Sequence, residues 1–175
     1  YTIVTIVSLI MYKRLGLSDT QCAAYSGWLS LPWVIKPLWS PIVEIFKTKR
    51  WWILTMQALM GIALALIAFT IPTHYYVQAS LALFFLIAFS SATHDIAADG
   101  FYMTALNEHD QAQYVGIRST FYKLATIFAE GLLLMYIGSW EVITKNVTDA
   151  WSIGLGTIAG LLMLMTVYHL CTLPK

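Results

Sequence analysis

His94, Asp95 and Asp99 fall within SATHDIAADGFYM, inside a stretch apolar and long enough to cross a lipid bilayer. A charged side chain near the bilayer centre costs at least about 2.5–3.5 kcal/mol, so such groups face a protein interior or a water-filled path. Asp95 and Asp99 stand four residues apart, which on a helix puts both carboxylates on one face. Carboxylates so placed can pair with cations, carry protons or hold a metal. His94 titrates near neutrality when unperturbed and is a candidate proton relay, though a hydrogen bond to a neighbouring helix would also hold it.

Candidate cations lie at comparable depth. Lys36 sits among Pro32, Pro37 and Pro41 in LPWVIKPLWSPIVEIF, about 15 Å from the end of its apolar stretch at Phe46, deeper than easy snorkelling reaches. Each proline removes a backbone donor and can kink the helix, as happens beside cavities and moving interfaces. Counting from the ends of the apolar stretches puts Lys36, Asp95 and Lys123 in one layer, with Asp99 and Arg118 in a second layer nearer the same end. Such pairs could serve transport or only pin helices together. Glu130, alone in FAEGLLLMYIG, is expected to be a buried, unpaired carboxylate, suited to proton carriage or to a hydrogen bond with a backbone carbonyl.

Asp-x-x-x-Asp also occurs where carboxylates hold magnesium against a diphosphate, and an intramembrane transferase using Asp95 and Asp99 is one alternative. It would need further acidic ligands, and the other spans offer only Glu44 at a helix end and Glu130 at another depth. No nucleophile elbow, zinc-protease helix or phosphate-cradling glycine loop is present, so the reading is non-enzymatic, with no metal or cofactor.

The elements that must position these residues are membrane helices. Of 175 residues, 59% are hydrophobic and 11% charged, and mean hydropathy is +0.70. A net charge of +1 provides no basic surface for nucleic acid. Apolar stretches run from Gln21 to Phe46, Trp51 to Ile71, Val77 to Leu106, Tyr114 to Trp140 and Ala150 to Leu173. The opening run, Thr2 to Tyr12, would rise only about 16 Å before Lys13 and Arg14, and is expected to be a first helix cut short. The sum is an all-α bundle of six transmembrane helices. Lys47, Lys49 and Arg50 mark the cytoplasmic side. Tyr75, Tyr76, Trp51, Trp52, Trp140 and Trp151, at span ends, are expected to be interfacial anchors. Cys22 and Cys171 read as reduced core thiols. Gly156 and Gly160 are expected to let two helices approach closely. Asn146-Val147-Thr148 fits a glycosylation sequon, a motif short enough to recur by chance.

Two blocks resemble the major facilitator superfamily, in its branch of muropeptide permeases and acetyl-coenzyme A transporters. KPLWSPIVEIFKTKRWW resembles the signature joining helices two and three: Glu44 matches its acidic position, Lys47, Lys49 and Arg50 its basic cluster, and Ile45 replaces the usual Arg. SATHDIAADGFYM resembles the fourth-helix motif, with Asp95 and Asp99 at its two Asp positions and His94 where Gln is common. The resemblance implies that residues 1–175 are the amino-terminal half of the fold, three plus three helices, with a carboxy-terminal half of similar size besides. It implies an alternating-access secondary transporter in the bacterial cytoplasmic membrane, driven by protons. Its substrate would be an anionic small or peptide-linked solute such as a muropeptide. Lys36, Lys123 and His94 would contact that solute, Asp95, Asp99, Glu130 and Arg118 would serve proton coupling or ion pairing, and Glu44 with the basic cluster would form a conformational switch. A non-transporting membrane scaffold or receptor of the same fold is the other alternative.

Overall fold

The computed structural model describes residues 1–174, and every regular element among them is helical. A π-helical turn, Ile3–Val7, leads into α1, Ser8–Arg14. Next come α2, Asp19–Ile35, a 3-10 turn, Lys36–Leu38, and the short α3, Ser40–Ile45. The helices α4, Lys49–Thr70, and α5, Tyr76–Ala105, are unbroken. A run of 37 residues follows, made of α6, Glu108–Ile127, a π-helical turn, Phe128–Leu132, and α7, Leu133–Thr144. The last helix is α8, Val147–Thr172.

Four of these units are long and apolar enough to cross a membrane: α4, α5, the α6–α7 run and α8. The stretch from Gln21 to Phe46, expected to be one span, is broken at Lys36–Leu38. Pro37 and Pro41 cannot donate to the carbonyls one turn earlier, so the chain tightens into a 3-10 turn and restarts at Ser40. Pro32, by contrast, is accommodated inside α2 and buried.

Polar side chains set the ends of the helices. Ser18 and Gln21 form a reciprocal capping box at the start of α2, Thr48 accepts from the Trp51 amide at 3.2 Å, and Asn107 accepts from the Asp110 amide at 2.9 Å. The Asn107 cap starts α6 at Glu108, six residues before the apolar stretch begins at Tyr114. That offset shifts every depth counted along this helix by about 9 Å.

α4 packs along both α5 and α8, and α7 packs on α8. The main core gathers Met11 and Tyr12 of α1, Leu64 and Ile67 of α4, Phe84 and Ala88 of α5, Ile137 of α7, and Trp151 and Leu155 of α8. Trp151 is thus not an interfacial anchor: it is 1% exposed and its indole donates to Glu141 Oε1 at 3.2 Å. The close approaches also use other glycines than expected. Gly160 faces open space and Gly156 only touches Ala68, whereas a side chain at Gly154 would run into Ile137, and one at Gly61 would come within 2.8 Å of the Met163 sulfur. Cys22 is buried and Cys171 exposed, and neither forms a disulfide.

Candidate functional site: a charge network between α2, α5 and α6

α5 supplies the acidic face. Asp95 and Asp99 lie between the middle of this 30-residue helix and its Ala105 end, one turn apart. The break after α2 brings Lys36 onto them. Its Nζ stands 2.5 Å from Asp95 Oδ2 and 3.9 Å from Asp99 Oδ2, and Arg118 of α6 binds the other oxygen of Asp99. The Arg118 guanidinium also lies over the Tyr102 ring, 5.5 Å from its centre. Tyr102 is itself fixed, its hydroxyl donating to the Gln111 carbonyl at 2.5 Å while the Gln111 amide closes on Leu106 O at 2.8 Å. The sequence placed these charges in two layers; Lys36 reaches both carboxylates and joins them into one network.

Lys123 does not join it. It is exposed and makes no ion pair among the described residues. The early start of α6 is the reason: counted from Glu108, Arg118 lies about 15 Å along the helix and Lys123 about 22 Å, so Arg118 comes level with the carboxylates. Lys123 instead borders an open hollow of about 460 Å³ with Val115, Arg118, Ser119 and Tyr122. Glu130 is also not buried as expected. It sits on the exposed side of the π-helical turn Phe128–Leu132, and its neighbour Ala129 is the residue turned inward.

His94, beside Asp95, lines a second hollow of about 320 Å³ with Tyr1, Trp33, Ser91, Asp95 and Tyr122. Its Nε2 is shielded from solvent and has no hydrogen-bond partner among the described residues. Lys36, Asp95 and Asp99 keep 25%, 47% and 33% of their side-chain surface exposed, so the network borders open space rather than a sealed core.

The α3–α4 connection closes this end of the bundle. Lys49 Nζ is 2.7 Å from Glu44 Oε2 and 3.3 Å from the Val43 carbonyl, and Arg50 donates to Leu170 O of α8 at 2.6 Å. Lys47 is exposed and holds a left-handed backbone, φ 62°. Val43 is fully buried with Ile53, Ile96 and Ala97, and the Trp39 indole donates to Thr93 Oγ1 at 3.2 Å, so α3 lies flat on α5.

Sequence reasoning passed over Gly100, Tyr102, and a contact at the far end where Arg14 binds both oxygens of Glu141. Near Arg14, the hydrogen bond and charge of Asp19 hold the Lys13 ammonium pKa above its ordinary value.

The BT1 family profile matches residues 3–167. This chain belongs to the BT1 family. The BT1 chain is 29% identical to the anhydromuropeptide permease of Escherichia coli K12 over 128 residues, which is 70% of this chain and 26% of the permease. It is 32% identical to an uncharacterized Haemophilus influenzae protein over 135 residues, 73% of this chain and 31% of that protein. It is 29% identical to an uncharacterized Schizosaccharomyces pombe protein, over 69% of this chain and 26% of the relative. The chain therefore spans less than a third of the length of these curated relatives. No solved structure matches it.

Proposed function

We propose that this BT1 chain is the amino-terminal six-helix half of a secondary active transporter of the major facilitator type, moving an anionic solute such as a muropeptide across a bacterial cytoplasmic membrane by proton-coupled alternating access. The observation that carries the reading is the Lys36–Asp95–Asp99–Arg118 network, gathered on α5, a helix long and apolar enough to cross a membrane, and bordering open space. These groups stay partly exposed, which leaves room for a solute to reach them. The likeness to a named permease supports the same reading.

In this scheme Lys36 is the central switch. A solute anion competes with Asp95 for its ammonium, and the released carboxylate takes a proton. His94, with an unpartnered ring nitrogen, and Lys123, on the adjoining hollow, add polar contacts to the solute. Glu130 is a further proton site, and Glu44, Lys47, Lys49 and Arg50 form the switch at the cytoplasmic end. The carboxy-terminal half covers the exposed polar face of α6.

The test is uptake of labelled anhydromuropeptide into vesicles containing the full-length protein, with and without an inward proton gradient. Gradient-driven uptake is expected, with loss of roughly tenfold or more on Lys36→Met or Asp95→Asn. Wild-type uptake by both variants would sink the network's role. Absence of uptake of any cell-wall fragment, nucleotide conjugate or peptide would favour a scaffold or receptor.

A further inference from the structure

We propose that Gly100 is the seat of the cytoplasmic latch: a positioning residue whose missing side chain lets the Glu44–Lys49 pair close against α5. The inference rests on the transporter reading only for calling that pair a latch; the seat itself is a matter of contact. Gly100 lies in the interior of α5, where glycine is less favourable than alanine, so its presence there has a cost. A Cβ built at this position would stand 2.9 Å from Lys49 Cε and 3.3 Å from both Lys49 Nζ and Glu44 Oε1. The ion pair therefore occupies the volume a side chain would take.

Occupying it matters because the Lys49 side chain is only 16% exposed while Glu44 remains 54% exposed. A cation so covered needs partners, and it has the Glu44 carboxylate and the Val43 carbonyl, both brought within reach by lying over Gly100. Gly100 also follows Asp99 directly, so the residue that receives the latch is joined to the one that receives Lys36 and Arg118. α3 then spans two fastenings on α5, the network at its start and the seat at its end. What a side chain at Gly100 would meet is the flexible tip of Lys49, not backbone, so Gly100→Ala is expected to fold and to shift the latch alone.

The connection carries its own reporter, since Lys47, Lys49 and Arg50 are trypsin sites held closed by the latch. In the full-length protein purified in detergent, Gly100→Ala should speed cleavage between Lys47 and Arg50 by roughly fivefold, and Gly100→Val by more. Cleavage after the exposed Lys145, at the opposite end of the bundle, should not change, which separates a local opening from general loosening. Glu44→Gln keeps every trypsin site and removes the carboxylate; in that background cleavage is already fast and Gly100→Ala should add nothing. Wild-type cleavage in both Gly100 variants would overturn the seat, as would a full additional effect of Gly100→Ala on top of Glu44→Gln. Uptake measured in parallel distinguishes the two readings: non-additivity at Glu44 with no uptake in any variant keeps the seat and removes the transporter.

Discussion

At the end of the bundle that carries Arg14 and Trp151, helices meet through a dry apolar core, and an ion pair there is tied to it: Arg14 binds Glu141, and Glu141, only 14% exposed, accepts from the buried Trp151 indole. At the Lys47–Arg50 end the same helices are held by Lys36, Asp95, Asp99, Arg118, Glu44 and Lys49, over a small cluster of Val43, Ile53, Ile96 and Ala97. Apolar interdigitation has one good arrangement and resists sliding. Ion pairs beside open space can exchange partners with a solute, a proton or water at modest cost. The difference teaches that one end is fastened by apolar packing and the other by charge.

The largest expected break is Trp151→Ala. It empties the core at that end and takes the indole from Glu141, which keeps Arg14, and should cost about 3–5 kcal/mol in a denaturant titration, without opening the trypsin sites at Lys47–Arg50. Arg14→Ala should cost about 1–3 kcal/mol by the same measurement, because Glu141 keeps the indole but loses its cation. Lys36→Met is the converse: its carboxylate partners are partly exposed, so the unfolding free energy should move by less than about 1 kcal/mol while uptake collapses. A loss of stability as large as that of Trp151→Ala would make the two ends alike and end the contrast. The smallest effect sharpens it: Lys47→Gly relieves a left-handed backbone and should stabilise by about 1 kcal/mol in the same titration.

Much of the fold was legible because membrane helices declare themselves by length and apolarity. The break in the second stretch was not: the prolines announced a kink, but Gln21 to Phe46 read as one span, and the structure interrupts it at Lys36–Leu38. The pairing of Lys36 with Asp95 and of Arg118 with Asp99 followed from counting depth at a fixed rise per residue. The same counting misplaced Lys123, because it began at the first apolar residue, whereas the helix begins at the polar Asn107 cap. It also misjudged Glu130 and Trp151, since depth along an axis says nothing about rotation around it.

The sequence by itself determined which stretches are helical and that Lys36, Asp95, Asp99 and Arg118 lie close in depth, because backbone hydrogen bonding in an apolar medium and the 1.5 Å rise per residue are local rules. Only the tertiary structure decided which faces meet. The azimuth of each helix is set by packing against its neighbours, and that packing turned Trp151 inward, left Lys123 and Glu130 exposed, chose Gly154 and Gly61 rather than Gly156 and Gly160 for close approach, and laid Lys49 over Gly100.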